Sequence, residues 1–136
     1  MQDVRTALAT LRSPSEARLD HLCRQHRVRV LTVFGSATDA SVAAPNDLDI
    51  GVVFEPGADH DVLGLLETLV STLGSERIDV LDAPRATETA RHRAIVEGEP
   101  LYESEPTAFA HAYAAAVMLY LDTAHFRREA LAQPRS

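Results

Sequence analysis

A Gly-Ser pair and three aspartates carry the clearest chemistry in this sequence. Val33-Phe34-Gly35-Ser36 is followed by ten residues and then by Asp47-Leu48-Asp49-Ile50, with a further acid at Asp79 inside Arg77-Ile78-Asp79-Val80-Leu81. Residues two apart on a strand leave the same face, so Asp47 and Asp49 are predicted to share one face while Leu48 and Ile50 enter an apolar layer. Two like charges held so close repel one another and desolvate poorly. A divalent cation between them removes the difficulty, and hard oxygen donors that leave room for waters and phosphates suit Mg²⁺. Gly35 permits close backbone approach, and Ser36 offers a hydroxyl and an N–H at a predicted helix start, a combination that binds phosphate oxygens. If the Asp79 strand lies beside the Asp47 strand, three carboxylates converge, enough for two ions about 4 Å apart.

Each signal alone is weak. A Gly-Ser pair is common in turns, and Asp-x-Asp is often a solvated strand end. The neighbours Leu48, Ile50, Val52, Ile78 and Val80 are apolar, which argues for a buried sheet rather than a surface strand. Other polar groups read more simply. Asp59-His60-Asp61 stands before a helical pattern and is read as a cap, Asp82 as a strand end or cap, and Cys23 as a small core residue. Arg24, His26, Arg27 and Arg29 are read as a solvated helix end, which leaves open a contact to phosphates or an acidic partner. Arg91, His92 and Arg93 are read the same way.

Composition narrows the chemistry further. The chain has 136 residues, of which 46% are hydrophobic and 24% charged, which fits one globular domain, residues 1–136, with its own core. The single cysteine excludes a disulfide framework and paired-cysteine zinc sites. A net charge of −7 disfavours direct gripping of a nucleic-acid backbone. The longest apolar run, Ala112 to Leu121, is half the roughly 20 residues a bilayer requires, and no signal-peptide pattern opens the chain, so a soluble, cytoplasmic protein is expected. All thirteen basic residues are arginine. The lack of lysine rules out Walker-type phosphate loops, the protein-kinase lysine and Schiff-base catalysis.

The elements that must position these residues follow from periodicity. Ser13-Pro14-Ser15-Glu16 predicts a helix start, with Leu19, Leu22, Cys23 and His26 on one face and an end near Arg27. Val28 to Phe34 predicts a buried strand, Ser36 to Ser41 a short helix, Ala43 to Asn46 a loop and Leu48 to Phe54 a second strand. A helix over Asp61 to Leu73 closed by Gly74, a strand over Arg77 to Leu81, a polar helix over Ala86 to Glu97 and an edge strand at Leu101-Tyr102 come next. Thr107 to Ala132 predicts one long amphipathic helix covering the sheet through Phe109, Tyr113, Val117 and Leu121, with Met118, Leu119 and Tyr120 widening its apolar arc toward a partner. The order describes an α/β (α+β) protein, a small mixed sheet covered by helices.

The Gly35-Ser36, Asp47-x-Asp49 and Asp79 pattern, with the tail Glu97-Gly98-Glu99-Pro100-Leu101-Tyr102, resembles the minimal nucleotidyltransferase family of the DNA polymerase β-like superfamily over about Val28 to Tyr102. In size the chain is similar to the antitoxins of HEPN/MNT toxin–antitoxin pairs. The resemblance implies a polymerase β-like palm fold and an adenylyltransferase that moves AMP from ATP to a tyrosine of a HEPN ribonuclease toxin, with which it forms a hetero-oligomer. It implies that Gly35 and Ser36 hold the triphosphate, that Asp47 and Asp49 ligate two Mg²⁺ ions, and that Asp79 ligates the ion that activates the acceptor hydroxyl and takes its proton. Asn46 departs from the family, where Ser or Thr often precedes the first aspartate, and the absence of lysine leaves basic phosphate contacts to Arg or His. Two other expectations stay open: neutralisation by binding with an idle site, and transfer to a small molecule such as an aminoglycoside.

Overall fold

The computed structural model describes residues 3–132 other than Pro14, Glu16 and Ala17. Its organising element is a four-stranded mixed sheet of β1 (Val28–Phe34), β2 (Leu48–Phe54), β3 (Ile78–Asp82) and β4 (Glu99–Glu103), in the order β3-β2-β1-β4. β1 runs antiparallel to both β2 and β4, whereas β2 and β3 are parallel. That parallel pair needs a crossover, supplied by α3 (Val62–Leu73). Asp61 caps α3 by accepting the Gly64 N–H at 2.9 Å, and Gly74 closes it in the left-handed region at φ 67°. The cap reading of Asp61 therefore holds.

The sheet separates its two faces by strand alternation. Leu31, Val33, Leu48, Ile50, Val52 and Ile78 join a core with α1 (Val4–Arg12), α2 (Leu19–Gln25) and α3. A bulge between Val28 and Val30 shifts the alternation, so Val28 reaches the same core. Cys23 is fully buried there, and burial pushes its thiol well above the ordinary value. On the opposite face Phe34, Val53 and Leu81 meet α4 (Glu88–Ile95) and α5 (Ala108–Asp122), around buried Ala94, Ile95 and Ala116. Both long strands, β1 and β2, have the bounds expected from sequence.

Four differences from expectation stand out. α1 has no counterpart among the elements expected from sequence, although Asp3 accepts the Thr6 N–H at 2.8 Å and Val4, Ala7, Leu8 and Leu11 fall at helical spacing on its buried face. The helix start expected at Ser13-Pro14-Ser15-Glu16 lies partly outside the described residues, and Ser13 itself ends α1. The long C-terminal helix is two, α5 and α6 (Ala124–Ala132), broken at Thr123. Thr123 Oγ1 donates to the Leu119 carbonyl at 2.9 Å and accepts from Arg127 at 2.8 Å, so the hydroxyl and guanidinium satisfy the helix end. Phe109 faces inward as expected, but Tyr113 and Leu121 are exposed, and Ala112 and Ala116 share the inward face with Phe109, because small residues allow α5 to approach α4 closely. No helix among the described residues is long and apolar enough to cross a membrane.

Two contacts lock the layers around the sheet. At the exit of β3, Asp82 meets His60 Nδ1 at 2.6 Å and ties the β2–α3 loop to the strand end, so Asp82 is a strand end with a partner that sequence did not suggest. On the other face, buried Thr32 Oγ1 donates to the Ala94 carbonyl at 2.6 Å, fastening the last turn of α4 to the sheet. This fit depends on two missing side chains. A Cβ on Gly51 would lie 2.9 Å from the Ala94 Cβ, and one on Gly98 would lie 2.1 Å from the Ala94 carbonyl oxygen. Gly98→Ala is therefore expected to destabilise the protein by about 1–3 kcal/mol, the cost of overpacking against a backbone atom that cannot swing aside. Urea unfolding of the variant tests this, and an unchanged midpoint would contradict the close approach.

Candidate active site

β1 ends at Phe34, and Gly35 turns the chain with φ 78°, a conformation glycine adopts without strain. Gly35–Thr38 forms a single 3₁₀ turn, shorter than the expected helix over Ser36 to Ser41. Thr38 Oγ1 donates to the Gly35 carbonyl at 2.8 Å and the Asp39 N–H to the Ser36 carbonyl at 3.1 Å, which satisfies the turn's own acceptors. The Ser36 hydroxyl has no hydrogen-bond partner among the described residues. The spacer that follows is held from α1, where the Arg5 guanidinium donates to the Val42 carbonyl, and internally by Ser41, which donates to Asp39.

The spacer delivers the chain to β2 beside the turn it left. Phe34 lies opposite Asp49 in the antiparallel β1–β2 pair, so the Gly35 turn and Asp49 are neighbours. They are close enough that a Cβ on Gly35 would stand 2.3 Å from Asp49 Oδ2. Glycine is thus required at position 35 twice, for its backbone angle and for the space that the Asp49 carboxylate occupies. Neither need was visible in sequence, where the pair suggested only phosphate approach.

The condition set for Asp79 is met. β3 pairs with β2, with Asp79 directly beside Asp49 and Ile78 beside Leu48. Strands in register lie about 4.8 Å apart, which places the two carboxylates side by side on the α4 face of the sheet. Leu48 and Ile50 are fully buried on the other face, as expected. Asp47 precedes β2 rather than lying in it, and the Leu48 N–H donates to the Arg77 carbonyl at 2.8 Å, pinning this entry to the start of β3. Asp49 is half-buried, while Asp47 and Asp79 are exposed, the latter because β3 is an edge strand. The apolar neighbours Leu48, Ile50, Val52 and Ile78 are buried as a sheet core requires, while the acids on the other face are partly open.

Burial, then the charge of Asp79, then that of Asp47 push the Asp49 carboxyl above its ordinary value, while the Arg93 guanidinium on α4 pulls the other way. Asp79 and Asp47 thus both bear on the Asp49 carboxylate. Among the described residues, however, no three carboxylate, imidazole or thiol side chains stand close enough to hold a metal ion as placed. The acids form a concentrated negative field of hard oxygen donors, chemically fitted to Mg²⁺ but not closed into a coordination cage. Asp59 stays outside this site and Asp61 serves α3. Arg24 pairs with Asp20, and Arg29 with Glu55 and Glu105, so neither arginine is free to serve the acids.

Because folding raises the Asp49 value, the folded chain holds that proton more tightly than the unfolded chain. Stability is lost as pH rises from the ordinary aspartate value of 3.8 through the raised value. Asp49→Asn is accordingly expected to melt a few degrees higher than the wild type near neutral pH without divalent metal, with the gap closing at about pH 4. Thermal melts of both proteins across that range give the answer. A variant that melts lower than the wild type throughout would contradict the crowding.

Comparisons with known proteins bear on the fold. No curated protein matches the chain. Among solved structures, a toxin–antitoxin complex with AMP-PNP contains a chain of similar fold, at TM-score 0.69 and 19% identity over 85% of this chain and 94% of that one. The MntA–HepT toxin–antitoxin structure gives TM-score 0.66 and 18% identity, covering 88% and 95%. A tri-AMPylated HEPN toxin in complex with its MNT antitoxin, from Shewanella oneidensis, gives TM-score 0.56 and 18% identity, covering 89% and 99%. Residues 18–107, more than half of the chain and all of the site, match the family described as Polymerase beta, Nucleotidyltransferase, and the chain belongs to that family.

Proposed function

We propose that the protein is an antitoxin that transfers AMP from ATP to a tyrosine of a partner HEPN ribonuclease and silences it, with Mg²⁺ held by Asp47, Asp49 and Asp79. The observation that carries this reading is the pairing of Asp49 with Asp79 beside a glycine turn that only a missing side chain keeps open. Membership of the nucleotidyltransferase family supports the transfer. Similarity to a complex with AMP-PNP and to one with a tri-AMPylated toxin supports the nucleotide and the acceptor.

Asp47 and Asp49 would hold both ions and Asp79 the one nearer the acceptor; bound there, Mg²⁺ offsets phosphate charge and favours the ionised acceptor hydroxyl. The N–H groups of the Gly35 turn and the free Ser36 hydroxyl receive phosphate oxygens. Asp79, exposed on the edge strand, is open to a protein acceptor and takes the tyrosine proton. The tyrosine oxygen then bonds to the α-phosphorus and pyrophosphate departs. Catalysis is mostly positioning and charge neutralisation.

A second reading, neutralisation by complex formation with the acids idle, is favoured by one feature. Met118 and Leu121 on α5 are each 65% exposed, an unusual display of large apolar side chains that suits a protein partner. Chemistry and binding separate in one experiment. Incubated with ATP, Mg²⁺ and the HEPN toxin of an adjacent reading frame, the intact protein is expected to add AMP units to the toxin, read by mass spectrometry. Asp47→Asn with Asp49→Asn, and separately Gly35→Ala, are expected to lower the rate by about a hundredfold or more, the scale set by loss of a preorganised electrostatic group. If the double variant still neutralises the toxin fully, binding is the mechanism. An intact protein that binds ATP and modifies no toxin would sink the transferase reading.

A further inference from the structure

The site as described has donors for phosphate oxygens and carboxylates for a cation, but the chain has no lysine to meet the phosphate charge. One arginine faces it. α4 follows β3 in the chain and lies across the same sheet face as Asp49 and Asp79. Its Arg93 carries a guanidinium 5.9 Å from the centroid of the Phe34 ring, a cation–π distance, and Phe34 is both the residue opposite Asp49 and the one before Gly35.

The backbone beneath Arg93 is fixed. The next residue, Ala94, is fully buried, its carbonyl held by Thr32, and Gly51 and Gly98 leave the room that this contact needs. The guanidinium is nevertheless exposed, and among the described residues it has no ion pair and no hydrogen bond. Two other arginines of this layer are engaged: Arg85 lies 3.8 Å from Asp82, and Arg127 donates to Thr123 and to the Tyr120 carbonyl. An aspartate site that leaves its nearest cation unpaired leaves five directional donors for something else. The arrangement sets unspent positive charge over the Phe34 ring, on the same sheet face as the carboxylates beside the Gly35 turn.

We propose that Arg93 is the binding residue for the β- and γ-phosphates of the nucleoside triphosphate, gripping the pyrophosphate end while the Gly35 turn and the aspartates take the end that reacts. This inference rests on the nucleotidyltransferase reading of the site. Arg93 supplies planar, paired donors matched to phosphate oxygens, a task that falls to a point-charge lysine in many phosphate sites. Its cation–π contact with Phe34 restrains the stem without consuming the donors, so the side chain is partly ordered before the ligand arrives.

The test is equilibrium binding of Mg·ATP and of Mg·AMP to the full chain, by calorimetry, for the wild type, Arg93→Gln and Arg93→Lys. Arg24→Gln on α2 serves as a charge-matched control, since Arg24 is paired with Asp20 in the opposite layer. Arg93→Gln is expected to weaken Mg·ATP binding by about tenfold to a hundredfold, the range for losing hydrogen bonds to a charged group, and to leave Mg·AMP binding unchanged. Arg93→Lys keeps the charge and the stem, so it should recover part of the loss; it also stands in should Arg93→Gln fold poorly. Equal weakening of both nucleotides by Arg93→Gln, or none of either, would overturn the role of Arg93 while leaving the transferase reading intact. A wild type that binds neither nucleotide with Mg²⁺ would remove both.

Discussion

The structure turns on electrostatic crowding. Asp49 and Asp79 stand side by side on adjacent parallel strands, with Asp47 at the entry to the first. Carboxylates so arranged repel, and partial burial of Asp49 adds a desolvation cost, so folding raises the affinity of Asp49 for a proton. A fold maintains such an arrangement only if the rest of its packing outweighs the repulsion. Here the packing comes from the other side of the same strands, where Leu48, Ile50 and Val52 are fully buried against three helices. The alternation of a strand lets one segment anchor the core and hold the acids together.

Glycines allow the second layer to close around those acids. Gly35 makes room for the Asp49 carboxylate and takes a positive φ at the same point. Gly51 and Gly98 let the end of α4 sit directly on the sheet, where Thr32 fastens it. The consequence is a helix held at fixed height above the acids, and Arg93 with it. Site geometry is thus set less by the functional side chains than by where side chains are missing.

The C-terminal helices use the same principle in a looser form. Alanines at 112 and 116 bring α5 against α4, which turns its larger residues Met118 and Leu121 outward. Of the stripe Phe109, Tyr113, Val117 and Leu121, Phe109 packs inward while Tyr113 and Leu121 are exposed, because a hydrophobic pattern shows that a helix has an apolar stripe without showing whether a smaller one packs more closely. The break at Thr123 escaped for a related reason: threonine is tolerated within helices, and only the donor and acceptor partners at Leu119 and Arg127 make it an end. α1 is a different case, since its capping aspartate and apolar spacing are both local signals present in the sequence.

The sequence by itself determined the two long strands, the crossover helix with its Asp61 and Gly74 ends, and the acids and glycine turn proposed for the site. These follow from local rules: strand alternation, capping, and the intolerance of a sheet for unexplained charge. Tertiary structure alone decided that β3 pairs with β2 in a register that sets Asp79 beside Asp49, that Gly35 is needed for an aspartate as well as for a turn, and that Arg93 faces the site. Each depends on residues brought together across the chain, for which spacing in sequence carries no distance. The acids were legible because their chemistry is local, while their partners became legible only once the sheet order was fixed.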